Sequence, residues 1–233
     1  MHHVLMDRWS QASSPLHARD PRAKILALLA FLIVLATTAP DAFAALLIDA
    51  ALLAAGILVA GLPLAGLMLR AMAVLPFSLT FGLISWLTGD RLRALGLVEK
   101  SYLSTVAVLL LVGTTPLPLL LSGLGALGTP RLLVLVAQFL YRYLFVVSEQ
   151  AQHLRLAAAC RQGTARQMTF RAAAGALAVL FARSYYRAEG IHRAMMARAF
   201  SGKFALLFRL RFRLADGVFT LAIAAFLILV RIQ

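Results

Sequence analysis

The sequence is dominated by apolar stretches that are long enough, or nearly long enough, to cross a lipid bilayer. The hydrocarbon core of a bilayer is about 30 Å thick, so a helix that spans it needs about 20 mainly apolar residues. Stretches of this kind cover residues 25–38, 42–60, 67–87, 102–121 and 214–230. Hydrophobic residues also make up 62% of the chain. We therefore predict an all-α fold, a polytopic helical membrane protein with about five transmembrane helices.

A basic, helix-forming segment, Ala151–Phe204, lies between the fourth apolar stretch and the last one. Arginines recur through it, so it is too charged to cross a bilayer unaided. Counted along the sequence, 14 of the 23 lysines and arginines lie between residues 131 and 213. Because basic segments of membrane proteins stay in the cytoplasm, we expect cytoplasmic helices here that couple the membrane part to a partner.

These patterns divide the chain into four parts. We predict a cytoplasmic N-terminal segment at 1–24, transmembrane helices 1–4 at 25–121, cytoplasmic coupling helices at 122–203, and the last transmembrane helix with the C-terminus at 204–233. The formal net charge of +14 then signals topology and contact with anionic membrane lipid and acidic partner surfaces. No nucleic-acid-binding motif accompanies this charge, so no nucleic-acid partner is expected.

Prolines and capping residues predict where individual helices begin and end. Pro76 should kink the third apolar stretch, and the prolines at 116 and 118 should interrupt the fourth. Residues 88–100 have the composition of a polar loop, and Thr129-Pro130 is typical of a helix start. We predict that helices follow over residues 131–148, 149–161 and 164–200. Whether the first of these spans the membrane or lies at its interface stays open.

Charged side chains inside or beside the apolar stretches need partners or water. Arg22 and Lys24 precede the first stretch, and their stems are expected to extend it by reaching the membrane surface. Asp49 lies within the second stretch, where a helix–helix hydrogen bond is a more economical interpretation than a transport-pathway residue. Asp216 is expected to pair with one of the arginines just before it, Arg209, Arg211 or Arg213.

Several short motifs together carry a resemblance to a known family. They are Asp20-Pro21-Arg22-Ala23-Lys24, then Tyr141-Arg142-Tyr143-Leu144-Phe145 followed by Glu149, and two arginine motifs, Cys160-Arg161-Gln162 and Ala197-Arg198-Ala199. In this order, and with this membrane pattern, they resemble the transmembrane coupling (T) component of energy-coupling-factor (ECF) importers, a type of ABC transporter. The local sequence HRAMMARAFSGKF is most similar to the cobalt-transport branch, the CbiQ family.

The resemblance implies a scaffold without catalysis of its own. It would lie in the bacterial inner membrane and join two cytoplasmic ATPase subunits to a substrate-binding membrane subunit for cobalt(II) uptake, with no cofactor. In that family both arginine motifs lie at the ends of crossed cytoplasmic helices, and each docks in a groove of one ATPase. Carried over, Arg161 and Arg198 would dock, and their close-packing neighbours would be Cys160, Gln162, Ala197 and Ala199.

The sequence departs from the commoner Ala-Arg-Gly form of these motifs, because Cys160 and Gln162 flank Arg161 and Ala199 replaces the glycine. Arginine suits such a contact on physical grounds, since its planar guanidinium offers five donors and stays charged when partly desolvated. The alternative is that Arg161 and Arg198 only bind lipid headgroups, as other positive-inside arginines do.

Other chemistry finds less support in the sequence. No phosphate-binding loop of the Walker type is present, so ATP hydrolysis is assigned to partner subunits and the chain is not expected to be an enzyme. His2 and His3 lack a nearby cysteine or carboxylate to complete a metal site, and none is expected. The alternatives left open are the same role for nickel or a vitamin, a polytopic membrane enzyme acting on lipids, and an ABC permease with its own substrate path.

Overall fold

The computed structural model describes residues 14–39, 42–161, 170–201 and 214–232, and all regular structure within these ranges is helical. The prediction of an all-α fold is therefore confirmed. In chain order, the α-helices are α1 (Pro21–Thr37), α2 (Phe43–Ala60), α3 (Leu64–Ala71), α4 (Leu75–Leu87), α5 (Arg91–Thr114), α6 (Leu117–Ala126), α7 (Arg131–Arg161), α8 (Phe170–Ala197) and α9 (Leu214–Ile232). A 3₁₀ turn, Met72–Val74, joins α3 to α4.

The helices form two compact units. Met1–Gly128 and Arg209–Gln233 make the first, which contains α1–α6 and α9, and Thr129–Phe208 makes the second, which contains α7 and α8. In the first unit α5 packs on α4, α1 and α2, while α1 also packs on α6 and α9. In the second unit α7 packs on α8.

Several helices have the composition of membrane spans. Among the described residues, Leu64–Leu87, Arg91–Thr114 and Arg131–Cys160 are long and apolar enough to cross a bilayer. Three shorter apolar helices cover Ala44–Ala60, Leu117–Ala126 and Leu214–Ile223. The chain is a helical membrane protein, as the hydrophobic pattern predicts.

The third apolar stretch is interrupted where the sequence predicts a kink. Pro76 lies in the first turn of α4, and the residue four positions before it, Met72, begins the 3₁₀ turn. A proline ring clashes with the carbonyl of the residue four positions earlier and offers that carbonyl no N–H. The tighter 3₁₀ turn accommodates this loss between the two helical pieces.

One boundary predicted around the fourth stretch is wrong, and the predicted interruption of this stretch is confirmed. Residues 91–100, predicted as part of a loop, are the first turns of α5, because the side chain of Asp90 caps the helix by accepting a hydrogen bond from the Arg93 N–H (3.2 Å). At the other end, α5 stops at Thr114 because Thr115 is extended (φ −144°, ψ 121°), the conformation favoured before a proline. The interruption predicted at the prolines 116 and 118 thus divides the predicted span 102–121 into two helices, α5 and α6.

The predicted division of 131–161 into two helices is also wrong, since α7 is a single helix of 31 residues. No glycine or proline lies inside it, and nothing else in this segment breaks a helix. The helix predicted over 164–200 is described from Phe170 to Ala197. Residues 162–169 lie outside the described part of the chain.

The core of the first unit is aliphatic. Leu35, Leu46, Ile57 and Leu67 are at most 2% exposed, and further residues of α1, α2 and α5 pack around them. Glycine allows α6 to approach α1 closely: a Cβ on Gly123 would lie 3.2 Å from Ile25 Cδ1 and 3.3 Å from Pro21 Cβ. Small residues at helix contacts are typical of membrane bundles, where close packing replaces the hydrophobic driving force.

Candidate functional site

The first arginine motif lies at the end of α7. Arg161 is the last residue of this helix, and Cys160 before it is an exposed, free cysteine. Gln162 lies outside the described residues.

The second arginine motif forms the C-terminal cap of α8. Ala197 is the last helical residue, and Arg198 and Ala199 form the turn that follows. The Phe200 N–H donates to Met195 O (3.0 Å), and the Ala199 N–H donates to Met196 O (3.0 Å). This pair of bonds is the Schellman motif, which satisfies carbonyls left open at a helix end. Arg198 is exposed beside it.

The cap explains why a glycine would suit position 199. Ala199 has a φ of 51°, and it is the one residue other than glycine with a positive φ in the described part of the chain. The left-handed conformation costs an L-residue with a Cβ about 1–2 kcal/mol, and glycine adopts it freely. The departure from the Ala-Arg-Gly form therefore leaves the fold of this cap intact but introduces local strain.

The two arginine-bearing ends extend by similar lengths from the place where α7 and α8 meet. Gln150 of α7 and three residues of α8, Arg183, Tyr186 and Arg187, line one cleft in the second unit. Arg161 follows Gln150 by eleven residues, and Arg198 follows Arg187 by eleven. At 1.5 Å per residue, each helix extends about 16 Å beyond this cleft.

A second group of polar residues is buried in the first unit, where sequence reasoning did not place a site. Lys24 is 5% exposed, and its ammonium donates to Thr115 Oγ1 (2.8 Å), Thr114 O (3.0 Å) and His17 O (3.5 Å). All three of its N–H groups thus have acceptors. The expectation that the Lys24 stem reaches out to the membrane surface is wrong, because the ammonium turns inward and caps the C-terminus of α5.

The start of α9 joins the same buried group. Asp216, which is 2% exposed, pairs with Arg19 (3.6 Å) and accepts from the Asp20 N–H (3.5 Å). Asp20 caps α1 by accepting from the Arg22 N–H (2.9 Å). Arg209, Arg211 and Arg213, the expected partners of Asp216, lie outside the described residues. One buried cluster thus connects the ends of α1, α5 and α9.

The unwound Thr114-Thr115-Pro116 segment was the signal for this cluster in the sequence. A helix that ends before a proline leaves carbonyls without donors, and a buried break in the chain requires a donor from elsewhere. Asp20-Pro21-Arg22-Ala23-Lys24 was recognised as a motif, but its lysine was interpreted only as a topology signal. The break and the lysine are 90 residues apart in sequence.

Asp49 differs from Asp216 although both carboxylates are buried. Asp49 is 1% exposed, and neither of its oxygens has a hydrogen-bond partner within the described ranges. The predicted helix–helix hydrogen bond is therefore not seen there. In the same ranges, no group of three or more His, Cys, Asp or Glu is arranged to hold a metal ion. His2 and His3 lie outside them.

Comparison with known families identifies the chain. The family model of the cobalt transport protein CbiQ matches residues 12–206, which is most of the chain and includes both arginine motifs. No curated protein gives a significant match. CbiQ proteins are transport proteins and not enzymes, in agreement with the sequence-based expectation. The chain belongs to the CbiQ family of cobalt transport proteins.

Proposed function

We propose that this chain is the transmembrane coupling component of an ECF-type importer for cobalt(II). In this role it joins two cytoplasmic ATPase subunits to a substrate-binding membrane subunit in the bacterial inner membrane, and it hydrolyses no ATP. The observation that carries the proposal is the placement of Arg161 and Arg198. Each lies eleven residues, about 16 Å, beyond the cleft where the two helices meet.

Two separate helix ends with one arginine each suit a pair of similar ATPase subunits. Arg198 is exposed and stands on a hydrogen-bonded cap, so its guanidinium is available to a partner while its backbone is held in place. A guanidinium can bind a carboxylate or backbone carbonyls at two points. A packed helix pair can pass the ATPases' motion on as a rigid-body movement.

The test reverses both charges, with Arg161→Glu and Arg198→Glu in one chain, in the assembled transporter. Removing one partner of a buried charged contact typically costs about 3–5 kcal/mol, which corresponds to at least about a hundredfold loss of affinity. We expect the ATPase subunits to be lost when the tagged variant is purified from membranes in mild detergent. Cellular cobalt uptake should fall with them.

The matched control is the double variant Arg155→Glu with Arg193→Glu. Both arginines are exposed, and they lie within α7 and α8, outside the cleft where the two helices meet. We expect this control to retain the ATPases. Retention of the ATPases by the first variant would contradict the docking role, and equal loss in both variants would show that only the overall charge matters.

The cobalt assignment is tested by metal uptake in the same cells. Cells that express the complete transporter should accumulate cobalt, and nickel in excess should compete only weakly. Preferential nickel uptake, or co-purification of a vitamin-binding membrane subunit, would transfer the same coupling role to another substrate.

A further inference from the structure

The first unit contains an apolar cavity of about 260 Å³ between α1, α2, α5 and α9. Its lining is almost entirely aliphatic and includes Leu28, Leu53, Leu110 and Ile223. The polar side chains of Lys24 and Thr114 also line it, but the ammonium already has three acceptors and the Thr114 hydroxyl donates to Leu110 O (2.9 Å). Because no polar group is left to bind a polar ligand, the interior suits hydrocarbon.

The cavity is deep in the direction of the helix axes. Along α1 its lining runs from Lys24 to Phe31, and seven residues of helix correspond to about 10 Å. A volume of this length accommodates part of an extended hydrocarbon chain.

The cavity opens sideways along α2. Ala55 and Val59 line it and are exposed, Val59 by 50%. The helices α2 and α9, which form the two sides of this opening, contact one another only sparsely. In a bilayer such a lateral opening faces acyl chains, since exposed apolar surface at this depth meets lipid and not water.

A cation lies at one end of the cavity. The Arg19 guanidinium is 5.8 Å from the centre of the Phe219 ring, and Phe219 lines the cavity. The Arg19 side chain is 33% exposed, and its ion pair with Asp216 leaves some of its five donors for another anion. The phosphate of a phospholipid would bind at Arg19, and the acyl chain of the same lipid would enter the cavity.

We propose that this cavity binds one acyl chain of an anionic phospholipid, with its phosphate at Arg19. The bound lipid fills a space between α2 and α9 that these helices do not fill themselves, and it acts as part of the packed bundle. The inference does not depend on the coupling role, because all the residues that carry it belong to the first unit.

Ala55→Phe tests the proposal by placing a ring at the lateral opening. The matched control is Ala51→Phe, which lies one turn earlier on α2, is exposed, and does not line the cavity. A helical side chain covers the surface N-terminal to its own Cα, so the ring at 51 points away from the opening. Thermal unfolding of both variants verifies that they are folded.

The readout is native mass spectrometry of the full-length chain in detergent with added phosphatidylglycerol or phosphatidylcholine. We expect the native chain and Ala51→Phe to retain one phosphatidylglycerol, and Ala55→Phe to retain at least about tenfold less. Equal retention by the two variants would overturn the proposal. Equal retention of the two lipids by the native chain would also overturn it, because a site at Arg19 must favour the anionic headgroup.

A fluorescence measurement keeps the test independent of Ala55→Phe. In Phe219→Trp, made in a chain that also carries Trp9→Phe and Trp86→Phe, brominated acyl chains on phosphatidylglycerol should quench the new tryptophan at about one lipid per chain. Quenching that rises only in proportion to the total lipid would show bulk contact and would refute the site.

Discussion

Replacing Lys24 with methionine should destabilise the first unit strongly. Methionine is close to lysine in length and shape, but it removes a buried ammonium that donates to Thr115 Oγ1, Thr114 O and His17 O. The Thr114 carbonyl belongs to the last turn of α5 and would lose its donor. Each hydrogen bond to a charged group contributes about 1.5–3 kcal/mol, and these contributions do not add fully because the bonds share one group.

The expected cost is therefore about 3–5 kcal/mol, from the lost hydrogen bonds and the buried acceptors left without a donor. For a chain of this size, each kcal/mol shifts the melting temperature by about 2–4 °C, so the melting temperature should fall by about 6–20 °C. The assay is thermal unfolding of the purified chain in mild detergent, followed by circular dichroism. The control is Arg93→Met, because the Arg93 side chain is 67% exposed and pairs only with the neighbouring Asp90. A fall for Lys24→Met no larger than that of the control would refute the capping role.

Two further substitutions test the cap of α8 and the buried carboxylates. Ala199→Gly should stabilise the chain by about 0.5–1 kcal/mol, because it relieves the strain of a residue with a φ of 51°. The control, Ala194→Gly inside the same helix, should cost about 1 kcal/mol. A lower melting temperature for Ala199→Gly would contradict the strain at this position. Asp49→Asn should leave stability unchanged or raise it, because its oxygens have no partner in the described ranges. Asp216→Asn should lower the free energy of unfolding by about 1–3 kcal/mol, because it weakens the ion pair with Arg19 and the hydrogen bond from Asp20. Equal changes in melting temperature for Asp49→Asn and Asp216→Asn would refute this distinction.

The fold class could be read from the sequence because lipid leaves the backbone few options. Apolar stretches near bilayer length must be helical, since each backbone polar group has to be satisfied within its own segment. Helix ends marked by a local signal were also predictable, as at Pro76. The boundaries that were missed depend on what surrounds them. Residues 91–100 looked polar, yet the Asp90 cap starts α5 there.

The positions of the candidate docking residues were predictable in part. Arg198 lies directly after the last residue of α8, and the docking role of Arg161 and Arg198 remains a proposal. The buried cluster around Lys24 could not be predicted in the same way. It joins residues from three distant parts of the chain, and charge beside an apolar stretch is ordinarily explained by topology. Only the three-dimensional packing shows which carbonyl the lysine caps.

If α7 turns about the cleft in the proposed coupling role, the position of the cleft along α7 sets the lengths of the two arms of this helix. Gln150 lies 19 residues from Arg131 and 11 residues from Arg161, which gives arms of about 28 Å and 16 Å. For a rigid rod that turns about this point, the arc travelled by each end is proportional to its arm. A small displacement at the Arg161 end would therefore move the Arg131 end about 1.7 times as far, in the opposite direction. Under the proposed coupling role, a pivot at this off-centre cleft would thus amplify movement in one direction along α7 and reduce it in the other.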